Sequence, residues 1–172
     1  MCKDKFNKFY RDVLNSLRSY STCTRLKVAA ILVKDSRILS SGYNGVAKGK
    51  CECNKVFARN TDGTFSLLKN PYLKFEDGHN ILEEPEYRKL HHLFADSYEV
   101  HAEMNCLGFA LRNHTDITGA ELYITTSPCL NCCKLIMVSG VKAVYYMDEY
   151  DSDTRGIDYL RENGIICEKI ED

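Results

Sequence analysis

The 172-residue sequence has no tryptophan, only three prolines and no long apolar run. A membrane-spanning helix needs roughly 18 consecutive apolar residues, so we expect no membrane partner. The first twenty residues contain no apolar stretch of the secretory type, and a cytoplasmic location is therefore expected. The formal charge of −1 and the lack of a basic stripe argue against nucleic acid as a partner. One or two local cations would still bind a phosphate on a small substrate.

Cysteine, by contrast, is abundant, with nine residues. An odd number of cysteines without a secretion signal favours thiols in a reducing compartment over disulfides. We therefore expect several of these thiols to serve as metal ligands.

A length of 172 residues without an internal repeat or a low-complexity linker predicts a single domain over residues 1–172, with an irregular insertion at about 54–90. Asp35-Ser36 predicts a tight turn of a β-hairpin, and glycines and prolines interrupt residues 44–98. Helix and strand alternate in the second half, which favours an α/β fold with helices on both faces of a mixed sheet. The predicted helices cover residues 4–20, 85–95, 99–112, 129–139 and 153–163. The predicted strands cover residues 27–34, 37–43, 121–126, 141–147 and 165–170.

The segment Pro128-Cys129-Leu130-Asn131-Cys132 begins one of these helices. Cys129 and Cys132 are three residues apart and share a helix face, and Pro128 suits a helix entrance. The exposed N–H groups and the dipole of the first turn favour thiolates at this position. A tetrahedral catalytic zinc site would need a third protein ligand and an open position for water.

His101-Ala102-Glu103 supplies what the two cysteines lack. His101 is the candidate third ligand, and Glu103 is a carboxylate that can take a proton from zinc-bound water and deliver it to a ring nitrogen and a leaving amine. The order His-x-Glu…Pro-Cys-x-x-Cys is the signature of zinc-dependent base deaminases. A single strand between the two helices would bring both helix starts to one edge of the sheet. A structural zinc knuckle or a redox pair would leave Glu103 without a role.

Further motifs resemble the deoxycytidylate (dCMP) deaminases of cells and bacteriophages, the bacteriophage-type members most closely. The resemblance runs from about Ser21 to Gly164 and rests on four segments: Cys23-Thr24-Arg25-Leu26-Lys27-Val28, Gly42-Tyr43-Asn44-Gly45, His101-Ala102-Glu103-Met104-Asn105 and Ser127-Pro128-Cys129-Leu130-Asn131-Cys132. It implies a three-layer α/β/α fold with a mixed five-stranded sheet. It also implies zinc-dependent hydrolysis of dCMP to dUMP and ammonia, which supplies thymidylate synthesis. Zinc hydroxide would attack C4 of cytosine while Glu103 shuttles protons.

The resemblance also implies side chains that contact the nucleotide: Asn44, Arg25, Lys27, Arg112, Tyr150 and Ser127. Asn44 corresponds to the residue that holds the deoxyribose 3′-hydroxyl in relatives, and the three cations are candidates for the 5′-phosphate. Each cation has the alternative of an ordinary solvated surface charge. Tyr150 would border the nucleotide or serve as a packing aromatic.

Some phage members carry a second, structural zinc, and four residues match its ligands: Cys23, Cys53, His91 and Glu99. All four are ligand types that zinc accepts, and a closed site would tether the irregular stretch of chain. The alternative makes Cys23 a core residue and His91 a surface residue. Cys51 and His92 lie beside Cys53 and His91 in the sequence. Either could be the ligand instead of its neighbour, which would shift the assignment of the site.

Several dCMP deaminases are hexamers that dCTP activates and dTTP inhibits, so the resemblance implies a homo-oligomer, hexamer or dimer, and a dCTP effector bound with Mg²⁺. This sequence departs from relatives in having Val28-Ala29-Ala30 for Val-Gly-Ala, and Val46-Ala47 where a proline follows GYNG. The altered loop argues against that regulation, whereas assembly is still expected. The preference between dCMP and dCTP stays open.

Three other functions compete with this interpretation. A tRNA adenosine or riboflavin-pathway deaminase would share His-Ala-Glu, but the near-neutral charge argues against tRNA and the GYNG motif favours a deoxynucleotide. A deaminase of nucleic-acid cytosines would need stacking aromatics along a basic channel. A non-enzymatic, zinc-folded binding module would have no use for Glu103.

Overall fold

The computed structural model describes residues 2–68, 80–150 and 153–170, and the side chains of residues 6–68, 81–150 and 153–170. The helices are α1 Cys2–Arg18, α2 Cys53–Val56, α3 Glu84–Tyr98, α4 Ala102–Arg112, α5 Leu130–Val138 and α6 Arg155–Glu162. The strands are β1 Ala29–Lys34, β2 Arg37–Tyr43, β3 Gly45–Val46, β4 Phe57–Arg59, β5 Phe65–Leu67, β6 Asn80–Leu82, β7 Glu99–Val100, β8 Glu121–Thr126, β9 Ala143–Asp148 and β10 Ile166–Lys169. None of the helices in these ranges is long and apolar enough to cross a bilayer.

The chain divides into two compact units. The first consists of the described parts of Met1–Ser21, Val28–Tyr43 and His101–Asp172, and the second of those of Thr22–Lys27 and Asn44–Val100. The stretch 54–90 that the sequence predicts as an insertion lies in the second unit, although its residues 69–79 are outside the described part of the chain. The assignment of all residues to one domain stays a prediction.

The first unit contains a five-stranded sheet in the order β10-β9-β8-β1-β2. The pairs β1–β2 and β1–β8 are antiparallel, and β8–β9 and β9–β10 are parallel. Asp35 and Ser36 join β1 to β2 with φ of 51° and 59°, the left-handed conformation that two-residue hairpin turns favour. The parallel pairs need crossover connections, which α5 and α6 provide. The predicted hairpin and the mixed sheet are confirmed.

Alternating side chains of the central strands are buried on opposite faces of this sheet. Ala29, Ile31 and Val33 of β1 belong to one core cluster with Tyr10 and Leu14 of α1. The intervening residues of β1 belong to a second cluster with buried side chains of α4, α5 and α6: Ala30, Leu32, Cys106, Leu107, Cys133, Ile136, Ile157 and Leu160. The period of two along the strand therefore builds one helix layer on each face. This is the three-layer α/β/α arrangement that the sequence predicts.

The second unit is more regular than its sequence suggests. It contains the antiparallel sheet β4-β5-β6, the pair β3–β7, and α3, which packs on a core that includes Phe57, Phe65 and Phe94. The expectation of irregular structure over residues 44–98 is therefore wrong in part. Strands of two or three residues are too short to show an alternating pattern, so sequence periodicity misses them.

The start of α4 also differs from the prediction. The helical pattern over residues 99–112 is wrong for its first residues, because Glu99 and Val100 form β7 and the helix begins at Ala102. His101 precedes the helix with an extended backbone, at φ −66° and ψ 153°. Pairing of Val100 with Gly45 overrides the local helical preference.

Gly42 lets β2 lie directly against α4. A Cβ at this position would lie 2.6 Å from the Cys106 amide nitrogen and 2.7 Å from the Ala102 carbonyl oxygen. Asn105 adds a hydrogen bond from its side-chain amide to the Tyr43 carbonyl, 2.8 Å long. The first turns of α4 are therefore fixed on the sheet by backbone packing.

Replacing Gly42 with alanine should lower the free energy of unfolding by about 1–3 kcal/mol, because backbone atoms of α4 cannot move aside easily. Gly108→Ala on α4, the helix against which Gly42 packs, is the control, since a Cβ there meets nothing within 4 Å. Because Gly108→Ala replaces a glycine within a helix, it should raise the free energy of unfolding by up to about 1 kcal/mol. Chemical denaturation measures both changes, and equal effects of the two substitutions would contradict the packing argument.

Candidate metal centre

Two helices of the first unit begin at side chains able to bind a metal. His101 is the N-cap residue of α4 and Cys129 that of α5, and neither side chain caps its own helix through a hydrogen bond. The backbone at both positions is extended, so each side chain leaves the helix at its entrance. The unpaired N–H groups and positive dipole end of a helix favour a thiolate there.

The ligand atoms of His101, Cys129 and Cys132 lie within 4.8 Å of one another. His101 Nδ1 is 3.6 Å from Cys129 Sγ and 3.3 Å from Cys132 Sγ. A tetrahedral zinc ion with ordinary Zn–N and Zn–S bonds holds nitrogen and sulfur ligands about 3.6 Å apart. The three residues therefore fit a zinc ion with a fourth position left for a small ligand.

The electrostatics of the two thiols fit a cation as well. A hydrogen bond from Cys132 lowers the pKa of Cys129 to about 4, and the same bond raises the pKa of Cys132. Negative charge on Cys129 also raises the pKa of Cys132, so ionisation of one sulfur opposes ionisation of the other. A metal cation would offset this repulsion and let both sulfurs ionise.

Glu103 is buried in the first turn of α4, with 4% of its surface exposed. Burial raises the pKa of its carboxyl group, and this group lies within hydrogen-bonding reach of Cys132. The carboxylate is not one of the three clustered ligands. A carboxyl group with a raised pKa beside a metal site can both accept and donate a proton near neutral pH.

The entrance of α5 is packed closely against α6. A Cβ on Gly156 would collide with the Pro128 carbonyl oxygen and lie 2.9 Å from Cys133 Sγ. Ser127 lies in the same turn, and its hydroxyl oxygen accepts the Tyr150 N–H at 2.7 Å. The structure thus brings two predicted substrate contacts together, with Ser127 holding the backbone that carries Tyr150.

A second cluster, formed by Cys23, Cys53, His91 and Glu99, lies within the second unit. His91 Nε2 is 3.3 Å from Cys23 Sγ and 3.4 Å from Cys53 Sγ. Among the residues with described side chains, Glu99 Oε1 and His91 Nδ1 are buried without a hydrogen-bond partner. Burial raises the pKa of Glu99 to about 7. A buried carboxylate oxygen without a partner, beside two thiols and an imidazole, is the chemistry that a cation satisfies.

Sequence reasoning missed two residues around this second cluster. The Thr24 N–H donates to Cys53 Sγ at 3.4 Å, and the Thr24 hydroxyl lies 3.4 Å from the same sulfur and 2.9 Å from the Tyr87 hydroxyl. Burial raises the pKa of Tyr87 to about 12, so its hydroxyl keeps its proton at neutral pH. The one sequence signal for Tyr87 was that it precedes His91 by four residues on a helix, which places the two side chains on the same face.

The remaining predicted nucleotide contacts lie in different places. Asn44 is buried, and its side-chain amide donates to the Leu26 carbonyl at 3.0 Å, beside the exposed Arg25 and Lys27. Arg112 is exposed at the last turn of α4, roughly 13 Å along the helix axis from Glu103. The structure therefore groups Asn44, Arg25 and Lys27 within the second unit. It leaves Arg112 at the end of α4 opposite the clustered metal ligands.

Three clustered zinc ligands leave one position of the tetrahedron open, and a buried carboxylate outside the ligand set lies beside them. This arrangement is typical of a hydrolytic zinc enzyme. Residues 4–148 match the family described as "Cytidine and deoxycytidylate deaminase zinc-binding region". The deoxycytidylate deaminase of Enterobacteria phage T2 is 36% identical over 157 residues, covering 84% of this chain and 81% of the relative. That of Enterobacteria phage T4 is also 36% identical, over 84% of this chain and 79% of the relative.

Among solved structures, the dCMP deaminase from the cyanophage S-TIM5 in complex with dCMP and dUMP is similar, with a TM-score of 0.68. Its sequence is 32% identical, and the match covers 96% of each chain. The chain belongs to the cytidine and deoxycytidylate deaminase family, and it carries that family's zinc-binding region.

Proposed function

We propose that this protein converts dCMP to dUMP and ammonia by zinc-assisted hydrolysis, and thereby supplies dUMP for thymidylate synthesis. The observation that carries this proposal is the convergence of His101, Cys129 and Cys132 beside the buried Glu103. The likeness to a dCMP deaminase solved with dCMP and dUMP supports the choice of nucleotide. A purely structural zinc site would not require the buried carboxylate.

The residues of the site divide the chemistry among them. His101, Cys129 and Cys132 would hold the zinc ion and leave one position of the tetrahedron open. Zinc bound there lowers the pKa of a water molecule and so provides a nucleophile near neutral pH. Glu103 would take one proton from the water and pass it to N3 of cytosine as the bond between C4 and the water oxygen forms. It would then take the second proton from the new C4 hydroxyl and deliver it to the amino group, so that the bond between C4 and nitrogen breaks and ammonia leaves.

Glu103→Gln should lower kcat by about 10²- to 10⁴-fold, because the amide keeps the shape but cannot transfer protons. Zinc content and melting temperature should stay at the wild-type values, which separates loss of chemistry from loss of structure. Glu162→Gln, at an exposed position on α6, is the control and should keep full activity. A Glu103→Gln enzyme with wild-type turnover would refute the proton-transfer role.

Recognition of the nucleotide is proposed for residues outside the metal cluster. Asn44 would hold the deoxyribose 3′-hydroxyl, with Arg25 and Lys27 as contacts of the 5′-phosphate. Ser127 and Tyr150 would border the nucleotide beside the metal centre. Arg112 has the least support, because it lies at the far end of α4 from Glu103.

Arg25→Gln should raise KM for dCMP by about 10-fold or more, because a charge-assisted hydrogen bond to phosphate is lost. The same variant should deaminate deoxycytidine as the wild type does, since that nucleoside has no phosphate. Arg37→Gln, at an exposed position at the start of β2, is the control and should keep the wild-type KM. An equal rise in KM for dCMP and deoxycytidine would contradict a phosphate contact of Arg25.

A panel of substrates distinguishes the competing functions. The rates for dCMP, dCTP, CMP, deoxycytidine and a tRNA are each followed by absorbance.

The second cluster is proposed to bind a structural zinc ion. It offers four protein ligands, Cys23, Cys53, His91 and Glu99, and thus no position for substrate. Such a site connects three segments of the second unit that are far apart in sequence, and its binding energy adds to folding.

Metal quantification of the purified protein should return two zinc ions per chain. Cys53→Ser should reduce this number to one and lower the melting temperature, because a thiolate ligand is lost. Cys51→Ser is the matched control two residues away, since Cys51 is not part of the cluster. A firm value of one zinc ion per wild-type chain would exclude the second site.

Assembly, effectors and location complete the proposal. We expect a homo-oligomer, hexamer or dimer, as the family resemblance implies. Effector binding of dCTP with Mg²⁺, and of dTTP, is implied by the family resemblance alone, and Val46-Ala47 argues against it. A cytoplasmic location agrees with the absence of disulfides among the cysteines whose side chains are described.

A further inference from the structure

One short segment of the second unit connects the second metal cluster to the proposed phosphate contacts. Cys23 is a member of the cluster, Arg25 is the proposed phosphate contact, and Thr24 lies between them. The segment Thr22–Lys27 belongs to the same compact unit as Asn44–Val100. Whatever fixes the backbone at Thr24 therefore also fixes the origin of the Arg25 side chain.

Thr24 makes two hydrogen bonds to one cluster sulfur. The Thr24 N–H donates to Cys53 Sγ at 3.4 Å, and the Thr24 hydroxyl lies 3.4 Å from the same sulfur and 2.9 Å from the Tyr87 hydroxyl. A thiolate bound to a metal would only accept, so the Thr24 hydroxyl would donate to Cys53 and accept the proton of Tyr87. A metal on Cys53 would therefore set the direction of both hydroxyl hydrogen bonds.

Tyr87 is a rigid anchor for this chain of bonds. Only 2% of its surface is exposed, and its ring stacks on Phe65 with centroids 3.7 Å apart and planes at 2°. It lies one helical turn before His91 on α3, so a cluster ligand and the anchor share one helix face. The bonds thus connect α3 to the segment Thr22–Lys27.

The same segment is held at its other end by Asn44, whose amide donates to the Leu26 carbonyl. Arg25 lies between these two attachments and Lys27 lies after the second, and both side chains are exposed. The backbone is therefore fixed on both sides of Arg25, while its cationic side chain stays accessible to a ligand.

We propose that Thr24 and Tyr87 are positioning residues that couple the second metal site to nucleotide binding. They hold Cys53 on the metal and Arg25 against the substrate phosphate, so the second metal determines substrate affinity as well as stability. This inference rests on the proposed second zinc ion and on the proposed phosphate contact of Arg25. Hydrogen bonds from outer residues to metal ligands typically account for 10- to 100-fold in metal affinity.

The test compares Tyr87→Phe and Thr24→Val with the wild-type zinc protein. Both substitutions remove a hydroxyl group and keep the side-chain volume, and the phenylalanine keeps the ring stack on Phe65. Tyr159→Phe on α6, in the other unit, is the matched control. A chromogenic chelator measures the release rate of each zinc ion, and steady-state kinetics give KM and kcat for dCMP and for deoxycytidine.

Both variants should release the second zinc about 10-fold faster than the wild type and the control. KM for dCMP should rise severalfold, with kcat and the kinetics of deoxycytidine little changed. Release at the wild-type rate, or parallel changes in KM for dCMP and deoxycytidine, would overturn the proposal. Should Thr24→Val fail to fold, Tyr87→Phe decides the question by itself.

The metal count separates this inference from the proposed activity. One zinc ion per wild-type chain, together with turnover of dCMP, would overturn the inference and leave the deaminase function standing. Two zinc ions without dCMP turnover, combined with faster zinc release in Tyr87→Phe, would refute the proposed substrate and support the hydrogen bonds to the second site.

Discussion

The candidate catalytic site depends on the packing of two helix entrances against the sheet of the first unit. His101 and Cys129 are both N-cap residues, so the positions of their side chains follow directly from where α4 and α5 begin. Gly42 allows α4 to lie against β2, and Gly156 allows α6 to lie against the turn before α5. A displacement of α4 or α5 by about an ångström would separate His101 from the two cysteines, because close-packed interiors transmit such shifts.

The two clusters use similar residue types for different purposes. In the first, the carboxylate of Glu103 lies outside the ligand set, so three ligands leave a position for substrate chemistry. In the second, Glu99 is one of four clustered side chains, so the proposed zinc site would be closed. Burial raises the pKa of both carboxyl groups, and each lies beside cysteine sulfurs of its own cluster. Glu103 differs from Glu99 because it is not one of the clustered ligands, and its proposed role as a proton carrier rests on that difference.

The two compact units also separate the tasks along the chain. The first unit contains the metal ligands and the carboxylate proposed for bond breaking, and the second contains Arg25, Lys27 and Asn44, which are proposed to hold sugar and phosphate. The segment Thr22–Lys27 is short, yet it joins a cluster ligand, a hydrogen-bonded threonine and an exposed cation.

The sequence by itself determined the features that local patterns encode. The alternation of helix and strand in the second half predicted helices on both faces of the sheet, and Asp35-Ser36 predicted the hairpin turn. Ligand types at His101, Cys129 and Cys132, with Glu103 two residues after the histidine, predicted the composition of the first cluster. These patterns are readable because each depends on residues a few positions apart or on one strand between two helices.

Only the tertiary structure decided how the second unit is built. The strands β4, β5 and β6 are three residues long and show no period, and β7 replaces the first residues of a predicted helix through pairing with β3. The contacts of Thr24 with Cys53 and Tyr87 join residues 29 and 63 positions apart. Apart from the four-residue spacing of Tyr87 and His91, local sequence carries no signal for such contacts, because they form only when distant segments pack around a common core.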